Sequence, residues 1–248
     1  MQKLELLCTS IGTLKIYGNR LHHGKDFLVR TNSKSTKLDY LIFFDSRGNS
    51  PEFDTSLSKM LIDKISELGR TYLLVCRPLN LTIWASLVGF ISLNNLEPSK
   101  IITNMGFVDF TPKKSATLEE AVNQVDTVIG SHIAASYFVE FYASTGGEMT
   151  RLYAMRYGDA YRKAIEAYAE KYNLIVLNTP LTDTEISIER KRPESFFSAQ
   201  VQSNSFNQSI HGARVIDFPR FNEFHTYDAV HFTQRGNRVI FDRLVEFL

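Results

Sequence analysis

The sequence predicts an α/β fold in which a parallel sheet carries helices on both faces. Three observations predict it. Five short apolar runs, at 40–44, 71–76, 100–104, 173–178 and 214–218, are nearly continuous rather than alternating, as strands buried on both faces are. Between the early runs lie stretches with apolar residues at helical spacing, so strand, loop and helix alternate along the chain. The first run ends in Asp45-Ser46-Arg47-Gly48, small and polar residues suited to a loop at the C-terminal end of a strand, where open α/β sheets bind ligands.

Taken in order, residues 1–36 read as a small N-terminal β extension, with strand-like pieces at 4–8, 13–17 and 26–30 separated by turn signals at Gly12, Gly18-Asn19 and Gly24-Lys25. His22-His23 lie in one of its turns, and adjacent side chains on extended backbone face opposite ways, which suits a solvated loop better than a metal site. The polar joint 32–37 leads into the α/β domain, assigned to 37–248. A helix is expected over 54–68, where Leu57, Leu61, Ile62 and Ile65 share one face and Gly69 supplies the stop. A second, apolar helix is expected over 81–93. Thr117-Leu118-Glu119-Glu120 has the Thr-x-x-Glu form of a capping box and opens a helix expected to reach about residue 142. Gly146-Gly147 interrupts, and a helix containing Tyr157, Tyr161, Ile165 and Tyr168 follows, its tyrosine stripe reading as packing. Residues 182–210 are polar and irregular, and loops of that length are functional lids or disordered segments. Inside them the run Glu189-Arg190-Lys191-Arg192 either holds an anionic substrate or is a solvated surface. A closing helix starts after Thr233.

The composition narrows the classes of function. Twenty-eight basic residues stand against 27 acidic ones, a formal net charge of +1, so no overall field draws the chain to nucleic acid or to an anionic membrane. No apolar run is long enough to span a bilayer and the N-terminus lacks a signal-peptide core, so a cytoplasmic protein is expected. Cys8 and Cys76, the only two cysteines, have no metal-ligand spacing and read as buried thiols. No cofactor and no metal is expected.

The chemistry concentrates in Tyr227-Asp228-Ala229-Val230-His231-Phe232-Thr233. An acid three residues before a histidine can hold the imidazole in one tautomer and orientation, which is two-thirds of a nucleophilic triad. Ser46 is the candidate for the third member. A serine hydroxyl is a weak nucleophile at neutral pH, so an adjacent base must take its proton as it attacks a carbonyl carbon.

Three loops together resemble those of the SGNH (GDSL-type) hydrolase family. Phe44-Asp45-Ser46 resembles its Gly-Asp-Ser nucleophile block after the first buried strand, Gly106-Phe107-Val108-Asp109 its Gly-x-Asn-Asp block after the third, and Asp228-Ala229-Val230-His231 its Asp-x-x-His block before the last helix. The resemblance covers 38–248. It implies a flavodoxin-like three-layer α/β/α sandwich on a five-stranded parallel sheet, and hydrolysis or transfer of an acyl ester, often on a carbohydrate or lipid; a small-molecule or glycan ester is the substrate expected. Carried over by position, Ser46 is the nucleophile, His231 the general base and then acid, and Asp228 the residue that orients His231.

The sequence also departs from that pattern. Besides the backbone N–H of the nucleophile, here Ser46, the family stabilises the oxyanion with a glycine N–H after the second strand and the asparagine of its third block. Here Pro78 and Leu79 stand at the glycine and Val108 at the asparagine; proline has no N–H and valine no side-chain donor. Losing one such donor costs about 10²- to 10³-fold in turnover. Asn80 and Asn104 are the candidate replacements, and Arg47, Val108 and Asp109 the candidates for touching substrate. Arg47 either clamps an anionic group beside Ser46 or pairs with Asp45. The functions in competition are an esterase or deacetylase working through an acyl-Ser46, an acyltransferase using the same triad, and a catalytically degraded member that binds a glycan or a protein.

Overall fold

The computed structural model describes residues 4–8, 12–16, 28–77, 82–130, 134–145, 148–156, 158–182 and 192–248, with backbone only for 4–8, 12–16, 144, 145 and 148. In chain order its elements are β1 (Leu4–Cys8), β2 (Gly12–Ile16), β3 (Leu28–Thr31), β4 (Lys37–Asp45), α1 (Leu57–Glu67), β5 (Tyr72–Arg77), α2 (Trp84–Leu93), β6 (Glu97–Thr103), α3 (Phe107–Phe110), β7 (Lys113–Lys114), α4 (Ser115–Ile129), β8 (Phe138–Thr145), β9 (Glu148–Met155), α5 (Asp159–Lys171), β10 (Leu174–Leu177), α6 (Glu194–Gln208), β11 (Arg214–Ile216) and α7 (Gln234–Leu244).

The central sheet has six strands in the order β11-β10-β6-β4-β5-β3. The five strands expected from the apolar runs run parallel to one another. The sixth, β3, pairs antiparallel with β5 along Leu28↔Cys76 to Thr31↔Leu73, so the sheet is mixed and not the purely parallel one expected. The sequence placed this strand in the N-terminal extension because its short alternating pattern carries no mark of the sheet it joins. β1 and β2 pair with each other.

Alternation along each strand sends successive side chains to opposite faces. Leu41 and Phe43 of β4, with Leu73, Val75, Ile101, Leu174 and Val176, pack under Trp84, Phe90, Val125, Tyr161, Ile165 and Phe206 of α2, α4, α5 and α6. Ile42 and Phe44, with Leu74, Cys76, Ile102 and Ile175, pack under Leu57, Leu61, Ile240 and Leu244 of α1 and α7. Both faces are covered, which is why the strand sequences read as unbroken apolar runs. Among the described residues, no helix is long and apolar enough to cross a membrane.

Two helices depart from expectation. α4 stops at Ile129, where Gly130 adopts the left-handed conformation (φ +66°) of a helix terminus. Residues 138–155, part of them expected in that helix, form the antiparallel pair β8–β9, closed by Thr145↔Glu148 and flanked by β7. A Gly-Gly pair between β-branched and aromatic residues is a hairpin signal, and it outweighs the helical spacing of Phe138, Phe141 and Tyr142. The stretch expected to be irregular contains the 15-residue helix α6. Its inward face is largely polar, with Gln200, Ser203 and Asn207 all buried, so apolar periodicity gave no sign of it.

The fold places the loops that matter at the C-terminal ends of β4 and β6. From β4 the chain runs outward to β5 on one side and returns through β6 on the other, so the crevice between β4 and β6 is where the strand order reverses.

Candidate active site

β4 is buried from Tyr40 to Asp45, and the chain leaves it through a tight 3-10 turn over Ser46–Asn49. Asp45 caps this turn, accepting the Arg47 N–H at 2.9 Å. Gly48 is required there: a Cβ would lie 2.6 Å from the Phe44 Cβ. Ser46 is thereby lifted out of the sheet, half-buried, while its neighbours Asp45 and Arg47 point back into the protein.

The Ser46 hydroxyl lies 3.0 Å from Nε2 of His231, across 185 residues of chain. Nδ1 of His231 lies 2.9 Å from Oδ2 of Asp228. The other carboxylate oxygen, Oδ1, accepts the backbone N–H groups of Val230 at 3.0 Å and of His231 at 2.7 Å. Burial alone would raise the Asp228 carboxyl. The hydrogen bonds from the His231 ring and backbone and the charges of His231 and Arg192 outweigh that and hold it well below the ordinary carboxylate range. An ionised Asp228 needs a donor at Nδ1, which leaves the Nε2 lone pair facing Ser46.

The loop that carries these groups is held from several sides. Ala229 has φ +62°, a left-handed conformation that costs a non-glycine residue free energy, and its carbonyl accepts the amide of buried Gln200 on α6 at 2.9 Å. Thr226 donates to the carbonyl of His231 at 2.7 Å. The Tyr227 ring stacks on the imidazole at 5.9 Å and 12°, and its hydroxyl meets Ser50 at 2.7 Å, tying the loop to the turn that bears Ser46. Thr233 caps α7 by accepting the Gly236 N–H at 3.2 Å.

Other residues singled out from the sequence are deployed differently. Arg47 is 1% exposed and pairs with Asp45 at 2.7 Å, with further bonds to the Thr179 hydroxyl and the Asn104 carbonyl, both at 2.5 Å. It therefore stiffens the turn that bears Ser46 from beneath instead of reaching an anionic group. Asn104 gives both ends of its amide to Asp45: Oδ1 accepts the Asp45 N–H at 2.9 Å and Nδ2 donates to its carboxylate at 3.0 Å. That locks the loop after β6 to the end of β4. Asp109 is fully buried and takes up the N–H of Trp84 at the start of α2, at 3.2 Å, and the Tyr161 hydroxyl at 2.9 Å. A carboxylate is favoured at a helix N-terminus, yet burial raises the Asp109 carboxyl. Val108 is partly buried against the core, and its carbonyl accepts the Lys113 ammonium at 2.6 Å. Asn80, with Pro78 and Leu79, lies outside the described residues, as do His22-His23, Tyr157 and residues 189–191.

Arg192, the last member of the basic run, is described, and its place was not legible in the sequence. Its Nε donates to the carbonyl of Asp228 at 2.9 Å, and its Nη2 forms an ion pair with Asp228 Oδ2. Nothing in the spacing of 192 and 228 announces this contact. Gln200 was missed for the same reason.

No family model matches the sequence. No curated protein sequence matches it. Solved structures to which the chain is similar include an acetyl xylan esterase, AlAXEase, at 15% identity and a TM-score of 0.45, over 84% of this chain and 99% of that one. Another is an acetyl xylan esterase from the rumen bacterium Butyrivibrio proteoclasticus, at 11% identity and a TM-score of 0.36, over 86% of this chain. A third is a family two carbohydrate esterase from Clostridium thermocellum in complex with cellohexaose, at 9% identity and a TM-score of 0.42, over 85% of this chain. The chain spans 62% and 64% of the length of the last two.

Proposed function

We propose that the protein is a serine-dependent acyl ester hydrolase of the SGNH type, with Ser46 as nucleophile, His231 as general base and acid, and Asp228 as the group that orients His231. One observation carries the reading: a hydroxyl, an imidazole and an ionised carboxylate stand in hydrogen-bonded series, with separations of 3.0 and 2.9 Å. In the acylation step the Ser46 oxygen attacks the ester carbonyl carbon while its proton passes to Nε2 of His231. The imidazolium formed is stabilised by Asp228 through Nδ1. Collapse of the tetrahedral intermediate breaks the bond to the alcohol, which leaves with the proton from Nε2, and the acyl group stays on Ser46. A water then gives a proton to Nε2, attacks the same carbon and releases the acid, and the proton returns to the Ser46 oxygen.

Among the described residues, the backbone N–H of Ser46 is assigned as an oxyanion donor: it opens a 3-10 turn, and the first N–H groups of a helical turn have no partner within it. The substrate class proposed is an O-acyl ester of a small molecule or a glycan. Hydrolysis of p-nitrophenyl acetate by wild type and by Ser46→Ala tests the reading. Loss of up to about 10⁶-fold in kcat is the expected result. Equal rates for the two proteins would leave the degraded, ligand-binding reading in its place.

A further inference from the structure

We propose that Arg192 is a positioning residue of this site, fixing the Asp228 carboxylate against His231 and offsetting part of the negative charge that His231 faces; the proposal rests on the reading of Ser46, His231 and Asp228 as a triad. The geometry gives each atom of the carboxylate an occupation. Oδ1 accepts two backbone N–H groups, and Oδ2 accepts both the His231 ring and the Arg192 guanidinium. With four donors converging, the carboxylate has no other orientation that keeps its partners.

Arg192 is itself held. A second bond from Nε to the Asp228 carbonyl fixes the fork, and the guanidinium lies 4.9 Å over the ring of Phe196 on α6. Phe196 in turn meets Phe107 edge-on at 5.5 Å. The Arg192 and Asp228 side chains are 8% and 10% exposed, so solvent screens the pair little. A carboxylate beside an imidazole stabilises the imidazolium, and a guanidinium on the same oxygen takes back part of that stabilisation. Arg192 thus keeps the Asp228 carboxylate aimed at Nδ1 of His231.

The other groups facing this constellation are placed as follows among the described residues. Ser46 approaches from the turn after β4, with the Arg47–Asp45 ion pair buried beneath it, and Tyr227 stacks on His231 from the same loop. The Arg47 charge is matched by Asp45, so Arg192 is the cation whose removal changes the field at Oδ2.

The test compares wild type, Arg192→Met and Arg192→Lys by the pH dependence of kcat/KM on p-nitrophenyl acetate, with circular dichroism melting to follow the fold. Arg192→Met is expected to lower kcat by about 10- to 100-fold, the scale of a misaimed catalytic group. It should also move the acid limb of the profile to higher pH, because a base relieved of a neighbouring cation keeps its proton longer. Arg192→Lys keeps the charge without the fork, so kcat should fall while the acid limb stays put. An unmoved acid limb in a folded Arg192→Met overturns the proposal, whatever its kcat, because loss of packing alone leaves that limb in place. Should the Met variant not fold, a shifted acid limb in Arg192→Lys overturns it equally. A wild type that neither turns over the ester nor is labelled at Ser46 by a fluorophosphonate sinks the triad reading first, and the proposal with it. Wild-type turnover with an unmoved limb sinks the proposal alone.

Discussion

The carboxylate of Asp228 shows how much of this site is decided atom by atom. Its partners favour the charged form, so its folded value lies below that of an unfolded aspartate, about 3.9. The sign follows: this contribution to stability is present above that value and is lost as pH falls through the depressed folded value. Asp228→Asn is therefore expected to be less stable than wild type in urea at neutral pH, and the gap should close in strong acid; a gap that widens on acidification contradicts the assignment. Asp45 and Arg47 make a second test. Both are buried and paired, so Arg47→Met leaves an uncompensated carboxylate and should cost about 3–5 kcal/mol in denaturant unfolding. A loss under about 1 kcal/mol would mean that the pair behaves like a surface salt bridge. The meeting of Ser46, Asp228 and His231 was legible in the sequence because each sits in a block whose order along the chain is informative. Arg192 and Gln200 were not, since each acts by reaching across some thirty residues to a loop with which it shares no spacing pattern.

At the level of elements, legibility followed the apolar pattern. The five central strands and α1, α2, α5 and α7 bury apolar faces, and the sequence shows those faces directly. α6 buries amide groups that tie it to several loops, Gln200 to the Ala229 carbonyl and Asn207 to the Met105 carbonyl and the Asn178 amide, so the apolar pattern fell silent along it. α7 fixes the other side of that loop. Thr233 accepts the Gly236 N–H and donates to the Phe224 carbonyl at 2.7 Å, and Thr233→Ala should cost about 1 kcal/mol in thermal unfolding, the usual loss for a missing cap. Gly236 is more constrained: a Cβ there would stand 2.1 Å from the carbonyl oxygen of His225, a backbone atom that cannot rotate away. Gly236→Ala is expected to push the segment 222–226 off α7, lowering both the melting temperature and kcat. A Gly236→Ala protein with wild-type values of both would show that this close approach does not position the loop.

Across the whole molecule, the sheet order brings together segments that are remote in sequence. β4 and β6 are neighbours, so the Ser46 turn and the Asn104 loop meet at the reversal of strand order, and α7 returns the last loop to the same end. The sixth strand, β3, adds an antiparallel edge beside β5, on the side of the sheet away from β6. In the proposed reading Ser46 is a nucleophile because His231 and Asp228 make it one. Mass spectrometry after a brief exposure to a fluorophosphonate reads this directly. Wild type should carry one phosphonyl group, on the peptide containing Ser46, and both Ser46→Ala and His231→Ala should carry none there. Unlabelled wild type, or labelling of Ser46 that survives His231→Ala at the same rate, would contradict the account.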